Sequence, residues 1–488
     1  MTKYNLIDLS INEEKRNNAL KRAKERNIII PTFEQMRHPE SIPDQVKEQL
    51  NQLGLWDIDP LNLFRITWHN EAKLDGGGFS GVNYIEIPEA ISGVKAKIIA
   101  LSGKYFPTGA HKVGAAFGCL VPRLVTGQFD PTTTKAVWPS TGNYCRGGAY
   151  DSTLLACDSI AILPEGMSKE RFEWLESVAG ETIKTVGTES NVKEIFDKCH
   201  ELRNSGQDLM IFNQFDEFGN YLWHHEVTGP AIEEVLKHVD GKLHGYISCT
   251  GSGGTIAAGD YLKKKYPTMK IAASEALQCP TIYHNGFGDH RIEGIGDKHI
   301  PWIHNVKNTD VAMAIDDEAT MNWIRLLNDP NGLALLKENG LDQETLDRLD
   351  LIGISGAANI IGAIKYAKYF ELTEDDVVVT ILTDSMEMYQ SRVKELNDER
   401  GPLNEKTTYG IYERYFKGLD IDFIKELSYY DRKTIHNLKY YTWVEQQGKT
   451  YEEIQAQWYD DTYWTSIPDT VSKLDELIKK FNEDVKKL

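Results

Sequence analysis

Between about residue 95 and residue 385, short runs of apolar, β-branched residues alternate with longer segments whose apolar positions recur at helical spacing. The runs predict strands at 96–101, 136–138, 159–163, 182–186, 209–212, 244–248, 270–274 and 377–382. Most are continuous rather than alternating, as expected of parallel strands covered on both faces. The intervening segments predict helices at 113–124, 169–179, 192–204, 224–238 and 255–266. This alternation implies an open α/β sheet with right-handed crossovers, divided into two lobes. In such folds ligands gather at the carboxyl ends of the strands, where this chain places its glycine turns.

The two ends read differently. Residues 1–60 are charged and helix-prone, punctuated by Pro31, Pro39, Pro43 and Pro60. Residues 401–488 follow Gly401-Pro402 and carry Tyr440, Tyr441, Trp443, Trp458, Tyr459, Tyr463 and Trp464. Their last stretch places Val471, Leu474, Leu477, Ile478, Phe481 and Val485 on one helical stripe. Both ends read as packing or dimer-forming extensions. The expected division is an N-terminal extension (1–60), a large domain (61–105 and 218–400), a small mobile domain (106–217) and a C-terminal extension (401–488).

A chain of 488 residues can bury a large core. Its net charge of −19 argues against a nucleic-acid partner, because phosphate backbones demand clustered Lys and Arg. The six cysteines (119, 145, 157, 199, 249 and 279) form no CxxC pair and read as reduced thiols. The N-terminus is polar, and no apolar run approaches the roughly 20 residues of a membrane span. A soluble, cytoplasmic protein with no metal site is expected.

Four stretches could carry chemistry. Lys112 follows the turn Thr108-Gly109-Ala110-His111 and opens an apolar helix. A cation is electrostatically disfavoured at a helix start, and a partly desolvated lysine can join an aldehyde. Gly251, Ser252, Gly253, Gly254 and Thr255 lie between a strand and a helix, where free backbone amides make an anion nest. No Gly-Lys-Ser/Thr ends that loop, and Ile256 stands where a dinucleotide fingerprint needs its third glycine. Ser140, Thr141, Gly142 and Asn143 follow another strand; they suit a carboxylate and a phenolic oxygen, and equally an ordinary helix cap. Asp384-Ser385 ends the strand at 377–382 and reads equally as a capping pair. His111, His224 and His225 have no metal-ligand spacing and read as structural, His111 standing at most behind the site.

With these stretches in this order, the chain resembles the fold type II pyridoxal-phosphate enzymes, in their cysteine synthase and cystathionine β-synthase branch. The likeness runs from about Leu61 to Val393. It includes Pro164-Glu165-Gly166-Met167-Ser168 with Arg171, Asn213-Gln214-Phe215, His225-Glu226-Val227-Thr228-Gly229-Pro230, Ser274-Glu275-Ala276, Gln278-Cys279-Pro280 and Glu293-Gly294-Ile295-Gly296 with Pro301. Two departures stand out. His111-Lys112-Val113 is closer to the tryptophan synthase β subunit, and Tyr144-Cys145-Arg146 follow Asn143 where the family carries small residues.

The resemblance implies a tryptophan synthase β-like architecture of two twisted sheets with helical extensions at both ends. It implies pyridoxal 5'-phosphate as cofactor and Lys112 as Schiff-base lysine and Cα base. Gly251, Ser252, Gly253, Gly254 and Thr255 would hold the phosphate, Asn143 the ring hydroxyl and Ser385 the ring nitrogen. Ser140, Thr141, Gly142 and Gln214 would hold the substrate carboxylate. A neutral ring-nitrogen partner leaves a carbanion poorly stabilised, so β-elimination or β-replacement on a β-substituted L-amino acid, through an aminoacrylate, is the expected reaction. The likeness also implies a homodimer. Two alternatives stay open: the β subunit of a two-component enzyme such as 2-amino-4-ketopentanoate thiolase, with a small partner subunit, and a non-catalytic pyridoxal-phosphate or amino-acid binding protein.

Overall fold

The computed structural model describes residues 4–488 apart from 141, 189, 190 and 297. Among the described residues, eleven strands form two sheets. The larger runs β1-β2-β10-β7-β8-β9-β11, from Tyr84–Ile87 (β1), Lys97–Ser102 (β2), Lys242–Cys249 (β7), Lys270–Ala276 (β8), Val311–Ile315 (β9), Asp376–Leu382 (β10) and Ile424–Glu426 (β11). The smaller runs β5-β4-β3-β6, from Lys135–Pro139 (β3), Ser159–Pro164 (β4), Glu181–Thr185 (β5) and Leu209–Ile211 (β6). The fold is the α/β architecture that the alternating pattern implied.

Burial explains which strands could be read. Within the large sheet, Ile98, Ile99 and Leu101 of β2 pair with Val378, Val379 and Ile381 of β10, all wholly buried. Such strands must be apolar on both faces. The pattern missed β1, β9 and β11. In β9 the run Val-Ala-Met-Ala-Ile is fully buried, yet alanine has little strand preference of its own. β1 and β11 pair antiparallel on opposite edges, β1 with β2 and β11 with β9. The large sheet is therefore mixed, while the small sheet is parallel throughout. β11 comes from the C-terminal extension, which closes the β9 edge against further pairing.

The helix expected over 224–238 is broken. Helix Phe218–Trp223 widens into a π turn at His224–Thr228 before helix Gly229–Leu236 resumes. In the wider turn Thr228 Oγ1 accepts from Trp68 Nε1 at 3.1 Å and lies 3.0 Å from His224 Nδ1.

Both ends fold back on the same chain. Helix Val471–Lys487 buries Leu474, Ile478, Phe481 and Val485, and only half buries Val471 and Leu477. Arg16, on helix Glu13–Glu25, meets Asp484 at 2.9 Å and donates to the carbonyl of Val125 at 3.1 Å. Asp475 accepts the amides of Phe33 and Glu34 at 2.7 and 3.1 Å, capping helix Phe33–Arg37 from across the molecule. All six cysteines are buried free thiols. Among the described residues, no helix is long and apolar enough to cross a membrane.

Candidate active site

Lys112 is delivered by a strained turn. Thr108 takes φ +67°, rare for a residue with a side chain, and Gly109 follows at +69°. Hydrogen bonds from the amides of Gly103 and His111 to the carbonyls of Leu382 and Thr383 (2.8 and 3.3 Å) tie this turn to the end of β10. The chain then enters helix Lys112–Thr126 with the Lys112 side chain 9% exposed. Its Nζ donates to Ser252 Oγ at 3.2 Å. Asn220 Nδ2 also donates to that oxygen, at 3.0 Å, and to the Gln214 carbonyl at 2.9 Å. Burial, and then the Lys112 charge, hold the imidazole of His111 far below its usual pKa.

The glycine loop leaves β7 and leads into helix Ala257–Lys265. Gly253 has φ +76°, and a Cβ there would stand 3.0 Å from His304 Cβ and 3.3 Å from Pro301 Cβ. Only glycine allows this segment to press so closely on the loop. Across the cavity, Ser140 follows β3, and its Oγ accepts from Gln214 Nε2 at 3.3 Å and from the Gly142 amide at 3.1 Å. A Cβ on Gly142 would lie 2.3 Å from Arg171 Nη1, so the guanidinium packs against this backbone. Thr141 lies outside the described residues.

Asn143 reaches a buried polar network. Its Nδ2 donates to Asp384 Oδ2 at 2.6 Å, and Tyr389 Oη donates to the same oxygen at 2.6 Å. Arg171 Nη2 donates to Tyr389 Oη at 2.7 Å, and its Nη1 pairs with Glu293 Oε2 at 3.0 Å. Burial raises the Asp384 carboxyl, with Arg171 the largest opposing influence. Arg146, one helical turn beyond Asn143, is 1% exposed and lies 4.7 Å over the Trp174 ring. Burial, and then Arg171, push its pKa down to about 10.

Of the residues singled out in the sequence, Lys112, Ser140, Asn143, Gln214, Gly251 and Ser252 line one narrow cavity. Gly253, Gly254 and Thr255 complete the loop without lining it. Ser385 is buried but not among the cavity-lining residues; from this strand end it is Thr383, two positions earlier, that lines the cavity. Sequence reasoning passed over Thr383 and Asn220, and named Phe215 and Gly294 only within the resemblance, with no part in the site. Asn220 had a signal, a lone amide within the apolar stretch Phe218 to Trp223. Among the described residues no cluster of His, Cys, Asp or Glu could hold a metal ion.

This donor set fits an aldehyde cofactor that carries a phosphate. The amine of Lys112 meets the anion loop inside the cavity, and Asn143 Oδ1 is buried without a partner. A lysine so placed defines a pyridoxal-phosphate enzyme by class. The comparison of sequences agrees: the model of the family "pyridoxal-phosphate dependent enzyme" matches residues 94–384, and the chain belongs to that family. It is 30% identical over 287 residues to the cysteine synthase of Staphylococcus aureus, an alignment covering 58% of this chain and 84% of that protein. It is 25% identical over 318 residues to the cystathionine beta-synthase of Saccharomyces cerevisiae, covering 63% and 59%. Among solved structures it is similar to the O-acetylserine dependent cystathionine beta-synthase of Helicobacter pylori, at 25% identity and a TM-score of 0.53 over 63% of this chain and 95% of that one.

Proposed function

We propose that the chain catalyses β-elimination or β-replacement on a β-substituted L-amino acid, as a cysteine synthase-like or cysteine lyase-like enzyme. The observation that carries this reading is the Lys112 amine, 3.2 Å from the Ser252 hydroxyl and in one cavity with Ser140 and Gln214. In this reading Ser140, Thr141, Gly142 and Gln214 hold the substrate carboxylate. Lys112 takes the Cα proton, a positioned proton transfer worth about 10²–10⁴-fold in rate. Gly251, Ser252, Gly253, Gly254 and Thr255 would hold the phosphate, and Asn143 would contact the ring hydroxyl. Pyridoxal phosphate supplies, when bound, the electron sink for charge left at Cα.

A wall without a carboxylate supports loss of a β-substituent over racemisation or transamination. Among the described residues no carboxylate lines the cavity. Asp384 is engaged by Asn143 and Tyr389, and Thr383 and Ser385 are its neighbours in sequence. A neutral partner, Ser385 by resemblance, would leave the ring nitrogen of a bound cofactor largely unprotonated and would favour departure of a leaving group from Cβ. The expected result is a rapid change in visible absorption when holoenzyme meets O-acetylserine, serine or cysteine, followed by pyruvate, or by a thioether when a thiol is added. Unchanged spectra with all three would reduce the chain to a binding protein.

A second observation bears on assembly. Tyr429, Tyr430, Tyr440, Tyr441, Tyr451 and Tyr459 of the C-terminal extension are all exposed. Clustered exposed tyrosines support a subunit contact, with a second copy of this chain or with a small partner, as in 2-amino-4-ketopentanoate thiolase. Sedimentation at micromolar concentration is expected to show a species larger than one chain. A monomer with full activity and no added subunit would remove this reading.

A further inference from the structure

The C-terminal extension lies wholly beyond residues 94–384, which the family model matches, yet it reaches the back of the glycine loop. Lys439, 0% exposed, donates from Nζ to the carbonyls of Trp302 and His304, both at 2.8 Å, and to Gln457 Oε1 at 2.6 Å. Trp443 Nε1 donates to the Ile300 carbonyl at 2.8 Å. Three alternate carbonyls of one segment, at 300, 302 and 304, thus accept from Lys439 and Trp443 of a single turn, and Gln457 Nε2 also donates to the one at 302 at 3.2 Å. Between them Pro301 and His304 are the residues that press on Gly253. Ile303 N donates to the carbonyl of Phe215, which lines the cavity, at 3.3 Å.

Two features of Lys439 need a reason. Its nitrogen serves three acceptors, which takes three N–H bonds, and only the ammonium has them. Burial opposes that charge and pushes the pKa well down. Among the described residues no carboxylate stands within 4.0 Å of Nζ; the rings of Trp302 and Trp464 lie 5.8 and 5.4 Å away, and the imidazoles of His304 and His436 are near enough for the Lys439 charge to lower their pKa. A buried, unbalanced cation is costly unless an anion arrives to meet it.

We propose that Lys439 is a positioning residue for the cofactor phosphate: it pins the 300–304 segment against the glycine loop and supplies the buried positive charge that the phosphate balances. The inference rests on the reading that Gly251, Ser252, Gly253, Gly254 and Thr255 form the phosphate cradle. It gives the extension a part in cofactor binding.

The test compares the affinity of cofactor-free full-length protein for pyridoxal phosphate and for pyridoxal, read by tryptophan fluorescence and visible absorption. Wild type is expected to prefer the phosphorylated form strongly. Lys439→Met is expected to lower that preference at least 10-fold. Gln457→Glu keeps an oxygen on the Lys439 ammonium while cancelling its charge, and is expected to lower the preference in the same direction even if Lys439→Met folds poorly. A general loss of structure would weaken both ligands alike and leave their ratio unmoved. Variants with the wild-type ratio would overturn the role of Lys439. A wild type that does not distinguish the two ligands would instead overturn the cradle.

Discussion

Lys112→Ala is expected to remove the visible cofactor band and to lower turnover of any β-substituted amino acid by at least about 10³-fold, within the range that one positioned proton donor and acceptor contributes. The fold should survive the change. Ser252 Oγ keeps its hydrogen bond from Asn220, and Lys112 stands at the first position of its helix rather than within the core of either sheet. Borohydride treatment of the holoprotein followed by peptide mapping should label Lys112 in wild type and no lysine in the variant. A wild-type label on another lysine would move the catalytic centre elsewhere.

The second large effect is on stability. Arg171 is wholly buried between Glu293 and the Tyr389–Asp384 pair. Arg171→Met leaves both carboxylates buried with fewer partners, and losing one side of such a pair costs about 3–5 kcal/mol. Glu293 keeps Arg392 at 2.5 Å, which places the expected loss near the lower end of that range. The loss should also depend on pH. Burial already raises Asp384, and Arg171 is the chief influence holding it down. Without Arg171 the folded-state pKa climbs further above the unfolded value. A carboxyl raised in this way favours the fold at low pH, and that contribution is lost as pH rises through the folded pKa. The variant should therefore trail wild type by more at pH 8 than at pH 5.5 in urea unfolding. A gap under about 1 kcal/mol at both would show that the network carries no net electrostatic weight.

Much of the cavity lining was legible because its stretches are local in sequence. The glycine loop, the hydroxyl-rich turn ending in Asn143 and the turn before Lys112 each follow a strand in sequence, and each strand ends where ligands bind in α/β sheets. The network behind Asn143 was not legible. Its members come from positions 143, 171, 293, 384 and 389, and only packing brings a guanidinium from one helix onto a carboxylate two hundred residues away. Thr383 was missed for a different reason. Which of two nearby hydroxyl residues faces a cavity depends on how the chain turns after β10, and composition does not encode that.

The sequence by itself determined the central strands, the order of the chemical stretches and the lysine, because continuous apolar runs and glycine turns act through short-range backbone preferences. The tertiary structure alone decided that both ends fold back on the core, that β11 closes a sheet edge, and that Lys439 stands behind the glycine loop. Those outcomes rest on contacts between residues more than a hundred positions apart, and a buried ammonium carries no mark of its burial until its acceptors are in place.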